Sequence, residues 1–374
     1  MSMPFSVDFA RAPFLVIWET TRSCALACKH CRASAERGRD PLELSTDEGR
    51  RLIDETAEMG TPVFILSGGD PLERSDLEDL VRHGTQRGLR MGTIPAATEN
   101  LTRERLKGLA DAGLAQVAFS VDGPTAELHD SFRGTPGAFA TTMQGLAWAR
   151  EVGLPLQINT VLARWNLPYL EDLITLVRSQ KIVFWEVFFL IPIGRGSAMQ
   201  GLDAEEMERV FERMAEINDM HEFVVKLTEG QHYKRFLIQR RSGAAAGAGA
   251  DGPRHPGAKL GTAWSQGGIG VSPQAVNAGK GFAFVDHHGD ICPSGFLPTP
   301  AGNVRTDRIA DVYRDAPLFR ALRDHKLLHG KCGACEYAAI CGGSRARSHA
   351  MTGDYLASDP RCAYVPGEAR AHAV

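Results

Sequence analysis

The sequence predicts an α/β fold: a partial (β/α)6 parallel barrel followed by a small cysteine-rich domain. Three observations lead there. Short apolar runs alternate six times with longer amphipathic stretches between residue 14 and about residue 220, the pattern of strands joined by crossover helices. A low-complexity stretch, SGAAAGAGADGPRHPGA at 242–258, then interrupts the pattern. Beyond it the chain is rich in glycine, holds five of the eight cysteines and has few long periodic segments.

FLVIWET (14–20) reads as a buried strand. STDEGRRLIDETAEMG (45–60) reads as a helix, with Ser45 as N-cap and Glu48 three residues on, a capping box. VFILSGGDP (63–71) is a strand running into a glycine-rich turn, and RSDLEDLVRHGTQRG (74–88) is a helix. The strand LRMGTI (89–94), the helix TRERLKGLADAG (102–113) and the strand AQVAFSVDG (115–123) follow. GAFATTMQGLAWAREVG (137–153) is helical, PLQINTVL (155–162) extended and PYLEDLITLVRSQ (168–180) helical. IVFWEVFFLIP (182–192) and DAEEMERVFERMAEINDM (203–220) complete the sixth unit. Six units fall short of the eight that close a barrel, so an open barrel is expected, with chemistry at the C-terminal strand ends.

This places a barrel core at 1–220, a helix and flexible Gly/Ala-rich linker at 221–258, and a second domain at 259–374. In the last, KGFAFVDHHGDIC (280–292) reads as a hairpin turning at His288-Gly289. Pro317 splits 309–326 into two short helices. Hydrophobic content is 43%, charged content 23% and net charge −3, which fits a globular protein and argues against nucleic-acid or anionic-membrane partners. The N-terminal stretch has neither a signal-peptide pattern nor a spanning helix, so a cytoplasmic location is expected. In that reducing compartment, cysteines are read as metal ligands or catalysts before disulfides.

RSCALACKHCRAS (22–34) sets Cys24, Cys28 and Cys31 in a C-x3-C-x2-C spacing directly after the first strand. Free thiols, a zinc site completed by His30 and a CxxC redox pair are the competing readings. Three thiolates also suit a 4Fe-4S cluster that keeps one iron open to a small molecule.

The motif after the first strand of a partial barrel resembles the radical S-adenosylmethionine (SAM) superfamily. The resemblance implies that SAM chelates the open iron and is cleaved reductively to a 5′-deoxyadenosyl radical, which abstracts a substrate hydrogen. His30 stands where many members carry an aromatic residue. SGGDP (67–71) resembles the family's GGEP motif, with Asp70 replacing Glu; Gly68, Gly69 and Asp70 are then expected at the SAM ammonium. In FSVDGPTAELHDSFRG (119–134), Ser120 and Arg133 are expected to contact SAM, and in FFLIPIGRG (188–196) the backbone near Leu190 to read the adenine.

Cys332, Cys335, Cys341 and Cys362 form C-x2-C-x5-C-x20-C, which zinc or a fully ligated cluster would fill. Beside a radical SAM core it resembles a SPASM or twitch extension, an iron–sulfur domain with an auxiliary 4Fe-4S cluster. Cys292 matches a ligand of a further cluster, but Asp307 and Arg345 stand at its other cysteine positions, so one auxiliary cluster is expected. CGGSRARSHAMTGDYLASDPRC (341–362) resembles the tails of radical SAM enzymes of haem d1 and alternative haem biosynthesis.

The expected activity is therefore a radical SAM oxidoreductase or lyase modifying a tetrapyrrole side chain, served by an external electron donor such as flavodoxin or ferredoxin. The alternatives are a ribosomal peptide maturase forming thioether or carbon–carbon crosslinks, and an electron carrier that has lost the chemistry. No general base is evident; His287, His288 and His349 are candidates expected at the surface.

Overall fold

Val16, Trp18, Phe64 and Leu66 are wholly buried, so one face of each of the first two strands is closed to solvent, as helices covering the outside of a parallel sheet require, while Ile17, Ile65 and Ser67 on the other face are partly buried. The structure, a computed structural model, describes residues 7–245, 269, 272 and 274–367. Most of the 242–258 linker lies outside the described residues.

Six strand–helix units form the expected barrel arc. The strands are β1 (Leu15–Glu19), β2 (Val63–Ser67), β3 (Arg90–Thr93), β4 (Gln116–Ser120), β5 (Leu156–Leu162) and β6 (Phe184–Phe189). Between and after them run α1 (Thr46–Glu58), α2 (Leu77–Gln86), α3 (Arg103–Asp111), α4 (Ala126–Arg133), α5 (Ala138–Glu151), α6 (Leu170–Ser179) and α7 (Ala204–Asp219). The Ser45–Glu48 capping box is present, worth about 1 kcal/mol for the cap. The helix α4 is an addition to the sequence reading. Thr125 caps it by accepting the Leu128 N–H, and Gly134 ends it in the left-handed region at φ 66°.

The sheet is longer than six strands. After α7 a further strand, β7 (Val224–Thr228), pairs parallel with β6, and α8 (Tyr233–Ala245) follows. At the other edge β8 (Phe282–Val285) pairs parallel with β1, and turns back into the antiparallel β9 (Asp290–Cys292) and β10 (Gly302–Asn303). The order is β10-β9-β8-β1-β2-β3-β4-β5-β6-β7, so the C-terminal region extends the barrel sheet directly. The hairpin at His288-Gly289 is as the sequence reading has it. So is the break at Pro317, which separates α9 (Ile309–Asp315) from α10 (Pro317–Arg323). Two short helices, α11 (Gly330–Gly333) and α12 (Arg345–Thr352), carry the last cysteine region.

Register fixes the rim. Glu19 aligns with Ser67, and Ser120 with Asn159, so the C-terminal ends of these strands stand side by side. The loop holding Cys24, Cys28 and Cys31 leaves β1 at that rim.

Candidate active site

A cavity of about 220 Å³ opens at this rim. Cys24, Cys28 and Cys31 line it together, with Ser67 at the end of β2, Gly68 and Gly69 just after it, Ser120 at the end of β4, Arg133 at the end of α4 and Leu190 after β6. The expected site residues thus converge from five separate chain segments, with one exception.

The exception is Asp70, which does not line the cavity. It is wholly buried. Its carboxylate accepts the Leu72 N–H at 3.1 Å, the Ala96 N–H at 3.2 Å and the Thr98 hydroxyl at 2.6 Å. It therefore ties the SGGDP turn to the loop after β3, and the backbone of Gly68 and Gly69 is what the turn presents. Gly69 packs so tightly that a Cβ there would sit 2.4 Å from the Ser23 carbonyl oxygen, which only glycine permits.

The cysteine loop is held from several sides. The Cys24 N–H donates to the Glu36 carbonyl at 2.8 Å. Arg195, in the segment after β6, donates its Nε to the Cys28 carbonyl at 2.9 Å and its Nη1 to the Ala35 carbonyl at 2.8 Å. Its own N–H donates to the Cys31 carbonyl at 3.0 Å. Gly194 beside it has φ 53°, and a Cβ there would lie 2.4 Å from the Arg32 carbonyl oxygen.

The sequence reading missed Arg195. Its signal was GRG after the last apolar strand, which looks like an ordinary turn.

Two thiols in the loop receive backbone N–H groups: Leu26 N–H to Cys24 Sγ and Ala35 N–H to Cys31 Sγ, each at 3.4 Å. Burial pushes the Cys24 thiol up to about 12 and raises Cys28 as well. Free thiols would therefore stay protonated here, and a metal is what would draw out the thiolates. Arg133 Nη1 stands 3.7 Å from Cys28 Sγ, while its Nη2 pairs with Asp122.

Asp122 is fully buried and also accepts the Val161 N–H at 2.7 Å. Burial raises its carboxyl, with Arg133 opposing. Burial also works against the Arg133 charge, but Asp122 and Cys28 outweigh it and hold the guanidinium protonated.

His30 lies flat on Phe132, ring centroids 4.4 Å apart, and Phe132 lies flat on Trp165 at 4.7 Å. Burial drives the His30 imidazole well below its ordinary pKa. Three buried polar atoms of cavity residues lack a partner among the described residues: His30 Nδ1, Arg133 Nε and Arg195 Nη2. Such orphans point to a polar ligand that completes them.

Glu19 closes one flank. It pairs with Arg32 Nη2 at 2.6 Å and with His287 Nδ1 at 3.0 Å. His287 is buried, not at the surface as expected, because the β8–β9 turn folds onto the end of β1. Cys292 is buried at the end of β9, its thiol raised to about 12 by burial. Phe296 reaches the cavity from the C-terminal region and stands 6.3 Å from Phe188 between ring centroids.

A second site lies at the other end of the chain. Cys332, Cys335, Cys341 and Cys362 line one small cavity together with His232 and Arg235. The Gly343 N–H donates to Cys341 Sγ and the Asp359 N–H to Cys332 Sγ, both at 3.4 Å. Burial raises the Cys341 thiol to about 12.

A barrel arc with three cysteines on the loop after its first strand, and four more beyond it, defines the class. The chain belongs to the radical SAM superfamily, whose sequence pattern matches residues 18–177; it is a radical SAM enzyme using a 4Fe-4S cluster and SAM.

Among its relatives is the AdoMet-dependent heme synthase of Oleidesulfovibrio alaskensis, 40% identical over 98% of this chain and 91% of the relative. The PqqA peptide cyclase of Rhodopseudomonas palustris is 32% identical over 95% of this chain and 88% of the relative. In fold it is similar to the crystal structure of Streptococcus suis SuiB, with TM-score 0.71 and 17% identity over 95% of this chain and 78% of that one. Among the described residues no helix is long and apolar enough to cross a membrane.

Proposed function

We propose that Cys24, Cys28 and Cys31 hold the SAM-binding 4Fe-4S cluster, that Cys332, Cys335, Cys341 and Cys362 hold one auxiliary 4Fe-4S cluster, and that the substrate is a carboxylated tetrapyrrole. The observation that carries this is the convergence of three cysteines, the SGG turn, Ser120 and Leu190 on one cavity, in a chain similar over nearly its whole length to a heme synthase. When bound and reduced, the cluster and SAM together supply a 5′-deoxyadenosyl radical.

The chain's own residues position and shield. The Gly68–Gly69 backbone offers carbonyls to the SAM ammonium, and Ser120 offers a hydroxyl to its polar edge. Leu190 gives an apolar wall for the adenine. Arg195, with Nη2 unpartnered beside the loop it braces, adds a cationic donor suited to a carboxylate. Phe188 and Phe296 supply flat apolar surface for a macrocycle. The reaction is the oxidation or decarboxylation of a propionate side chain, with electrons from a flavodoxin- or ferredoxin-type donor.

The test is 5′-deoxyadenosine formation by anaerobically reconstituted protein with SAM and dithionite, comparing an iron porphyrin bearing propionates with a ribosomal precursor peptide. Stimulation by the porphyrin alone supports the reading. Stimulation by the peptide alone replaces it with peptide modification, in line with the more distant relative named a PqqA peptide cyclase.

A further inference from the structure

His232 is a buried side chain with no hydrogen-bond partner among the described residues. It is wholly inaccessible, and neither Nδ1 nor Nε2 is bonded. A neutral imidazole carries one donor and one acceptor, and leaving both unmet in the interior is costly enough to need a reason.

Its protein surroundings do not supply one. Asp359 Oδ2 is 3.8 Å from Nδ1, beyond hydrogen-bond range. That oxygen already accepts the Ser344 N–H at 2.8 Å and Arg347 Nη1 at 3.1 Å. Phe211 packs edge-on against the ring at 4.7 Å between centroids. What remains is the cavity that His232 lines with Cys332, Cys335, Cys341 and Cys362.

We infer that His232 donates an N–H hydrogen bond to a sulfur of the auxiliary cluster and thereby raises that cluster's reduction potential. The inference rests on the reading of the second cysteine set as a cluster. The sulfur donors Gly343, Asp359 and Arg345, whose Nη2 lies 3.7 Å from Cys332 Sγ, all come from the cysteine-bearing segment itself. His232 comes instead from the turn between β7 and α8, so it links the barrel edge to the auxiliary site. Donors to cluster sulfurs favour the more negatively charged reduced form, which raises the potential.

The experiment is an EPR-monitored redox titration of the anaerobically reconstituted full chain, as wild type, His232→Phe and His232→Asn, with iron and sulfide counted for each. The expected result is equal iron in all three. In His232→Phe the auxiliary midpoint moves to more negative potential while the SAM-binding cluster's stays put. His232→Asn, which keeps an N–H donor, returns it toward wild type. Loss of the auxiliary irons in His232→Phe but not in His232→Asn also supports donation.

An unmoved auxiliary potential in fully loaded His232→Phe overturns the inference. So does loss of the auxiliary irons in both variants, which makes His232 a ligand or a packing residue. Wild-type protein with only about four irons defeats the cluster reading itself, and is told apart because it appears before any substitution at His232.

Discussion

Arg133 stands between Asp122 and Cys28, its two Nη atoms divided between a buried carboxylate and the Cys28 sulfur 3.7 Å away. This changes what the arginine does. Its guanidinium fork is engaged within the protein, and Nε has no partner among the described residues. Arg133→Ala leaves the buried Asp122 carboxyl without its partner, a loss of about 3–5 kcal/mol for breaking a buried pair. Denaturant melts of the apoprotein measure it, and an Arg133→Leu/Asp122→Asn double variant is expected to recover most of the loss. A loss under 1 kcal/mol in Arg133→Ala contradicts the pairing. SAM affinity in the folded double variant tests whether Arg133 also touches SAM, with weaker binding expected.

Gly194 shows how the cysteine loop is braced. At φ 53° and with the Arg32 carbonyl oxygen 2.4 Å from any added Cβ, alanine there forces the braced loop and the Arg195 segment apart. Gly194→Ala is expected to cost about 1–3 kcal/mol and to lower iron loading at the first site only. Unchanged loading contradicts the bracing.

The acid stability of the barrel depends on buried imidazoles. His129 is buried with its Nδ1 accepting the Asp122 N–H at 3.3 Å, and burial, then Arg133, lowers its pKa to about 3. The unfolded chain takes up that proton near pH 6.5, so between about pH 6.5 and 3 the unfolded state binds more protons than the folded one. Stability therefore falls as pH falls through that window, by about 2 kcal/mol at pH 5 for this group. His129→Gln should show a shallower decline between pH 7 and 5 than wild type. Parallel slopes contradict the assignment.

Iron content separates the two sites. Wild type is expected to hold about eight irons and a Cys24→Ala/Cys28→Ala/Cys31→Ala variant about four, with SAM cleavage under dithionite abolished. Continued 5′-deoxyadenosine production by the variant contradicts the placement of the cluster.

Much of this was legible in the sequence because it is local. The six strand–helix units declare themselves by apolar runs and caps such as Ser45, and the cysteine spacings by counting. GGDP shows a carboxylate beside the glycines but not the three donors from Leu72, Ala96 and Thr98 that turn Asp70 inward. β7 was hidden because VVKLT is short and only half-buried at a sheet edge. His232 and Arg195 were invisible because their roles depend on segments far away in the chain. His287 reads as a surface turn residue until β8 is seen to pair with β1 and bring Glu19 against it.

The proposed reaction is radical hydrogen abstraction from a tetrapyrrole propionate at the three-cysteine site. Its most direct test incubates the reduced, reconstituted enzyme with SAM and an iron porphyrin deuterated along its propionate side chains, and weighs the 5′-deoxyadenosine formed. Deuterium is expected in that product. Unlabelled 5′-deoxyadenosine from turnover of the same porphyrin would contradict it.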